Sequence, residues 1–485
     1  MKKNNRDQTK IGKAKEDKTK EGKTEEGKAK EGKTEEGKAK EEIIFDSSMV
    51  RLSRKKNKKG EYIYFKNNEE LKKEINNFGK QEGYSKNDFN YEITKEVEKF
   101  IGKRFDNIVF LAGAGTSVIM TENGDIDSKY GKTMKGIAKI IYDDLSGSKE
   151  PDSEDLYSLM DFAKVTHYKN LSIDSNDNKQ EKDENNKNKD IKEKEKFLED
   201  FDLEDFLSNV IRFEPYVNEG KESKGKYKNT KNKILEIIKE NTQYPYDTNS
   251  DKEVLSNHIA LLNILSNMVE APNKLSVVTT NYDTFFEDAA AEANYTVFDG
   301  FKFLSKPEFD SDMFNWNLVK EVPNIKTREL EYNKRVFNLI KIHGSRNWER
   351  TEENKIVRVA KNESSDSDKT VMIFPSSEKY AQSYQEPYFD LFTKFQELLK
   401  RENTLLITAG FSFSDNHIFR MVKEAVINNK ELALLVTDYD IEKIEKKNRN
   451  WKDLQSLKSA YPKVAFLKAT LNKDLIRFLG GSSND

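Results

Sequence analysis

The sequence contains no cysteine and only four histidines in 485 residues. The absence of cysteine excludes disulfide frameworks, thiol nucleophiles, iron–sulfur clusters and cysteine-ligated zinc sites. Four histidines leave little material for a histidine-rich metal centre, so we expect no metal. No apolar run approaches the roughly 18–20 residues of a membrane span, and the N-terminus lacks the apolar stretch of a secretory signal. We therefore expect no membrane contact and a cytoplasmic location.

The charges are nearly balanced, with 84 Lys and Arg against 86 Asp and Glu and a formal net charge of −2. This balance argues against a generally cationic surface for nucleic acid, although a local basic patch remains possible. The hydrophobic fraction of 35% lies below that of typical globular chains, so part of the chain lies outside any packed core.

Two segments are predicted to be disordered. The first is a charged, low-complexity tail over residues 1–45, in which glycine returns every five residues from Gly22 to Gly37. That spacing fits neither a helix nor a strand, and we expect a solvated tail rather than a nucleic-acid contact. The second is the loop 174–196, which has one aliphatic residue, Ile191, and lies inside a predicted helical insertion over about residues 145–260.

Beyond residue 95 the sequence alternates short apolar runs with helix-length stretches. Because the runs are continuous rather than alternating, they are typical of parallel strands covered on both faces. The sequence therefore predicts an α/β domain over residues 95–480, with a Rossmann-like, doubly wound, mostly parallel sheet. Seven runs are predicted as strands, beginning at Ile108, Leu275, Leu339, Val371, Leu405, Leu434 and Val464.

The first run is followed by Gly113, Ala114, Gly115, Thr116 and Ser117. Glycine lets the backbone turn sharply and approach a phosphate, and the hydroxyl groups add donors. The pattern also fits a plain strand-to-helix turn, since it is neither a Walker loop nor a complete G-x-G-x-x-G motif.

Polar residues also follow the second and third runs. Asn281 and Asp283 suit contacts to sugar hydroxyls or an oriented water, or alternatively a turn with a helix cap. His343 suits a general base, or alternatively a hydrogen-bonded core histidine.

Two later strand ends complete the series. Gly410 and Ser412 form a second Gly-x-Ser turn, and Asp438 suits a ribose or adenine contact or a helix N-cap. Because parallel strands end at one edge of a sheet, all these clusters fall where a single dinucleotide would bind.

Taken in order, Gly113 to Ser117, Thr279 to Asp283, His343-Gly344-Ser345, and Gly410-Phe411-Ser412 with Asp415 resemble the sirtuin (silent information regulator) family. The likeness is to its bacterial branch of NAD hydrolases in antiphage defence. It covers roughly residues 95–480 and implies a Rossmann domain that uses NAD as its substrate.

The resemblance also implies site roles. Gly113 to Ser117 would hold the phosphates and the nicotinamide ribose, and Asn281 and His343 would be the catalytic pair. Gly410 and Ser412 would lie at the adenosine ribose, Asp438 on the adenine side, and Asp283 would orient the Asn281 loop. Protein-deacetylating sirtuins carry a four-cysteine zinc ribbon, which this chain cannot build.

We therefore expect an NAD hydrolase that depletes cellular NAD in antiphage defence. The alternatives are a catalytically idle subunit that senses NAD or ADP-ribose, and an NAD-dependent deacylase. Since uncontrolled NAD hydrolysis would kill the cell, we also expect control by homo-oligomer formation, by the helical insertion, or by a separate partner. By family analogy that partner is a DNA-translocase-type ATPase or a short argonaute.

Overall fold

The computed structural model describes residues 41–73, 83–119, 127, 130–132, 134–147, 155–168, 197–198, 201–217, 221–242, 244, 252–322, 330–360, 369–372, 386–442 and 448–481. Residues 1–40 of the predicted tail and the predicted loop 174–196 lie outside these ranges.

The described residues form sixteen strands. They are β1 Glu41–Ser47, β2 Arg51–Lys56, β3 Tyr62–Lys66, β4 Glu69–Glu70, β5 Asn107–Ala112, β6 Leu275–Thr279, β7 Thr296–Phe298, β8 Val319–Glu321, β9 Leu330–Tyr332, β10 Val336–Lys341, β11 Gly344–Arg350, β12 Ile356–Arg358, β13 Thr370–Met372, β14 Thr404–Ala409, β15 Ala433–Asp438 and β16 Val464–Lys468.

Eleven α-helices lie in the same ranges. They are α1 Lys86–Ile101, α2 Met134–Gly147, α3 Leu159–Val165, α4 Leu203–Phe213, α5 Lys221–Asn241, α6 Lys252–Asn267, α7 Phe285–Glu292, α8 Tyr388–Lys400, α9 Asn416–Asn428, α10 Arg449–Ala460 and α11 Leu475–Phe478.

The central sheet has eleven strands in the order β4-β3-β2-β1-β16-β15-β14-β5-β6-β10-β7. The seven strands from β16 to β7 are parallel, and every residue of β5, β6, β10, β14 and β15 is buried. Strands buried on both faces read as continuous apolar runs. The predicted α/β fold with a mostly parallel sheet is confirmed.

Alternate side chains of each central strand enter different hydrophobic clusters. In β5, Ile108 and Phe110 pack in one cluster with residues of α1 and α6, whereas Val109 and Leu111 pack in another with residues of α8 and α9. Helices therefore cover both faces, as a doubly wound sheet requires.

The strand order reverses at β5. Strands β6 and β10 extend the sheet on one side of β5, and β14, β15 and β16 extend it on the other. In open α/β sheets ligands bind beyond the carboxyl ends of the strands at such a reversal. The turns after β5, β6 and β14 are therefore the place to examine for a site.

Three features differ from the sequence prediction. The apolar run at Val371 lies in β13, which pairs antiparallel with β11 in a separate three-stranded sheet. Residues 41–45, predicted as part of the tail, belong to β1, which pairs antiparallel with β16. The sheet thus includes β1–β4, which lie upstream of the predicted domain start at residue 95. The prediction missed strands such as β2 because they are charged and lack a continuous apolar run.

The described chain between β5 and β6 contains the five helices α2 to α6. Residues of α2, α3, α4 and α5 form a hydrophobic cluster of their own, with Ile141, Phe162, Phe206 and Ile234 among its buried members. We call it the helical cluster. In the described ranges, no helix is both long enough and apolar enough to cross a bilayer.

Candidate functional site

Two glycine turns touch at the strand reversal. The amide of Gly115 donates to the carbonyl of Gly410 at 2.9 Å, and Gly410 has a φ of +58°. A Cβ on Gly410 would lie 2.5 Å from the carbonyl carbon of Gly115, and one on Gly113 would lie 2.5 Å from the Gly410 oxygen. Both turns therefore need glycine. The turn predicted to hold the phosphates, Gly113 to Ser117, is thus in direct backbone contact with the turn predicted to lie at the adenosine ribose, Gly410 to Ser412.

Asn281 is held inside the first glycine turn. Its Nδ2 lies 3.0 Å from the carbonyl oxygen of Gly113, 2.9 Å from Ser117 Oγ and 3.2 Å from Thr116 Oγ1. Among the described residues, no protein group donates a hydrogen bond to Asn281 Oδ1. The arrangement fixes the side chain through its nitrogen and leaves its oxygen for a hydroxyl group or a water.

Asp283 anchors the same turn from the other side. Its carboxylate accepts hydrogen bonds from Ser117 Oγ at 2.6 Å and from the amide of Phe285 at 3.1 Å. It thus joins the glycine turn to the start of α7.

Burial raises the pKa of Asp283 above its usual 3.8, although Lys341, Ser117 and Phe285 act in the opposite direction. The folded state therefore binds this proton more tightly than the unfolded chain. Its contribution to stability is complete below about pH 4 and is lost as the pH rises through the raised value.

We expect Asp283→Asn to gain stability relative to the wild type as the pH rises from about 4 to about 7, because the amide has no proton to lose. Urea unfolding of both proteins across this range measures the difference. Asp155→Asn, at an exposed position, is the matched control. A stability difference that does not change with pH would contradict the prediction.

Lys341 is a site residue that the sequence analysis missed. Only 1% of its side chain is exposed, and its Nζ donates to Glu287 Oε1 at 2.9 Å and to the carbonyl oxygens of Tyr282 and Asp283. It therefore ties the Asn281 loop to the first turn of α7. A lysine inside the apolar run from Leu339 to Ile342 was the available signal.

We expect Lys341→Met to lower the free energy of unfolding by about 2–3 kcal/mol, because it leaves a carboxylate and two carbonyl groups without their donor. This loss is at the low end of what removing one partner of a buried ion pair costs, because the Glu287 side chain is 26% exposed. Urea denaturation measures it, with Lys452→Met at an exposed position as the control. Equal stability of the two variants would show that Lys341 does not hold the loop.

His343 pairs with a carboxylate. Its Nε2 lies 3.2 Å from Asp415 Oδ2, and both side chains are buried. The other oxygen of Asp415 accepts hydrogen bonds from the amides of His417 and Ile418, which begin α9. The helix start thus fixes the carboxylate, and the carboxylate fixes the imidazole ring.

The remaining predicted residues lie around this centre. Ala114 begins a single 3₁₀ turn, and Ser412 is exposed with its Oγ 2.7 Å from Ser414 Oγ. Asp438 ends β15, two strands from β5, and accepts a hydrogen bond from the amide of Asp440 at 2.9 Å. The structure thus brings the glycine turns and Asn281 into direct contact and places Asp438 farther along the same edge.

Tyr282 connects the site to the helical cluster. Its side chain is buried in that cluster, whereas its neighbours Asn281 and Asp283 contact the glycine turn. Its carbonyl oxygen also accepts hydrogen bonds from the amide of Arg346 and from Ser345 Oγ, both at 3.3 Å. The loop that carries Asn281 is thus also a contact of the inserted helices.

Comparison with known proteins found a family model that matches part of the chain. Residues 275–457 match the family model of the SIR2-like domain. No curated protein matches the chain. The match supports a SIR2-family domain in this part of the chain and an NAD-related activity.

The matched range contains Asn281, His343 and Gly410 but begins after the first glycine turn. Gly113 and Ser117 are joined to that range by their hydrogen bonds with Asn281 and Asp283. Within the described ranges, no group of three or more His, Cys, Asp or Glu side chains is placed to hold a metal ion.

Proposed function

We propose that this chain hydrolyses NAD to nicotinamide and ADP-ribose. The main support for this proposal is the position of Asn281. Its Nδ2 is fixed in the first glycine turn, while its Oδ1 accepts no hydrogen bond from the described protein residues. The SIR2-like match over residues 275–457 supports NAD as the dinucleotide.

In this reaction the bond between C1′ of the nicotinamide ribose and the nicotinamide nitrogen breaks. Nicotinamide leaves with the bonding electrons, the ribose passes through an oxocarbenium-like state, and a water oxygen bonds to C1′. Asn281 Oδ1 would accept a hydrogen bond from that water or from a ribose hydroxyl. His343 would take the proton, and Asp415, 3.2 Å from its Nε2, would stabilise the resulting imidazolium.

Incubation of the full chain with NAD, followed by chromatography of nicotinamide and ADP-ribose, tests the proposal. Equal amounts of the two products with no other substrate present are expected. Nicotinamide release only with an acyl-lysine peptide would establish a deacylase instead. NAD binding without either product would establish the idle sensor. The double variant Asn281→Ala/His343→Ala is the background control.

We further propose that the reaction depletes NAD in antiphage defence, a role supported by the sequence resemblance. We propose that the activity is controlled through the helical cluster, either by self-assembly or by a partner protein. That partner would be a DNA-translocase-type ATPase or a short argonaute. The packing of Tyr282 in that cluster supports this route to Asn281. Nicotinamide release with and without each partner, together with the mass of the complex in solution, tests it.

A further inference from the structure

The hairpin formed by β2 and β3 concentrates positive charge that no step of the proposed reaction uses. Between Arg51 and Lys59, six of nine residues are basic, namely Arg51, Arg54, Lys55, Lys56, Lys58 and Lys59, and none is acidic. The whole chain has a net charge of −2, so this density is local.

Most of these charges are not neutralised by neighbouring side chains. Arg51 pairs with Asp46 and Arg54 pairs with Glu42. Lys56, Lys58 and Lys59 are exposed, and in the part of the chain that the structure describes they form no ion pair. Three lysines are therefore available to an anionic partner.

The tip of the hairpin is an ordered turn. Asn57 Oδ1 accepts hydrogen bonds from the amides of Lys59 and Glu61 at 2.8 and 3.0 Å, and Asn57 Nδ2 donates to Glu61 Oε2 at 2.9 Å. The one acidic residue of the tip is thus bound by Asn57 rather than by a lysine. Lys58 and Lys59 lie on this hydrogen-bonded turn, which lowers the backbone entropy that binding would cost.

An aromatic side chain, Tyr62 of β3, pairs across the strands with Lys56 of β2. Tyr62 is 39% exposed, with the Arg54 guanidinium 4.6 Å and the Lys56 ammonium 5.3 Å from its ring centroid. A cleft of about 460 Å³ borders it, and its lining also includes Tyr64 and Tyr84, the carboxylates Glu61 and Glu70, and Lys72. Basic side chains next to exposed aromatic rings are the combination that binds phosphates and unstacked bases.

We propose that the β2–β3 hairpin binds single-stranded nucleic acid, with Lys56, Lys58 and Lys59 contacting phosphates and Tyr62 contacting a base. An anionic membrane fits less well, because the tip from Asn57 to Glu61 offers no apolar side chain for insertion. Strands β1, β16, β15 and β14 separate the hairpin from β5, so binding there is independent of the NAD site.

Fluorescence anisotropy of the full chain with labelled single-stranded DNA and RNA tests this. The triple variant Lys56→Gln/Lys58→Gln/Lys59→Gln should bind at least about tenfold more weakly, and its slope of log K against log salt should be smaller by about 2. Tyr62→Ala should cost about tenfold. The matched control, Lys103→Gln/Lys430→Gln/Lys452→Gln, removes three exposed lysines elsewhere and should bind like the wild type.

The competing outcomes are distinct. An equal loss in the control triple, or a loss on deletion of residues 1–40 but not in the hairpin variant, would assign binding to general charge or to the tail, whose net charge is +5 (14 basic minus 9 acidic). No binding at low salt, or binding only to vesicles of anionic lipid, would also overturn the proposal. NAD cleavage by the hairpin variant should equal that of the wild type, which keeps this test separate from the enzymatic one.

Discussion

Asn281→Ala is expected to reduce nicotinamide release at least about 10²-fold, the scale of losing a positioned catalytic group. The variant removes the Oδ1 that would hold the water or the ribose hydroxyl. It also removes the Nδ2 contacts to Gly113 and Ser117, although the Gly115–Gly410 and Ser117–Asp283 hydrogen bonds remain. The melting temperature should therefore change little while turnover falls.

Asn281→Asp sharpens this test. The aspartate has the same shape, but an anionic oxygen replaces the Nδ2 that lies 3.0 Å from the Gly113 carbonyl oxygen. Repulsion at this contact should misplace the side chain, so turnover should remain low. Asn333→Ala, in an exposed turn outside the site, is the matched control and should be fully active. Near-normal turnover by Asn281→Ala would refute its catalytic role.

His343→Ala should also lower NAD cleavage by at least about 10²-fold while leaving NAD binding measurable by calorimetry. The reason is that the first glycine turn, Gly113 to Ser117, rather than His343, is proposed to hold the phosphates. If instead the variant unfolds, His343 is a core histidine and the proposed base is wrong.

The contact between Asp415 and His343 allows a second test of the proposed base. Asp415→Asn keeps a side chain beside Nε2 but removes the negative charge, so it should lower turnover less than His343→Ala does. In the double variant the two losses should not add, because Asp415 acts through His343. Added imidazole should partly restore His343→Ala and should not restore Asn281→Ala. Fully additive losses would show that the two residues act separately.

The central sheet was predictable because burial on both faces leaves a direct record in the sequence. The run from Ile108 to Leu111 lies in β5, every residue of which is buried. Strands β2 and β4 escaped prediction because they carry charged residues in place of a continuous apolar run. Leu52 in β2, for example, is followed within four residues by Arg54, Lys55 and Lys56.

The site was predictable only in part, for a related reason. Residues at strand ends can be located once the strands are known, which identified the glycine turns, Asn281 and His343. The partners of these residues depend on contacts between distant parts of the chain: Asp415 lies 72 residues after His343, and Glu287 lies 54 residues before Lys341. No local pattern specifies such pairs.

The position of Tyr282 has a consequence for affinity. The Tyr282 ring lies among the inserted helices, and its neighbours Asn281 and Asp283 form hydrogen bonds with the first glycine turn. If binding to the helices shifts this loop, the two events share a coupling free energy, and thermodynamics makes that coupling reciprocal. A molecule that binds the inserted helices and thereby tightens NAD binding tenfold must itself bind ten times more tightly when NAD is present. Occupancy of the dinucleotide site would then report on the state of the insertion, and the cell's NAD concentration would set how firmly the chain retains whatever controls it.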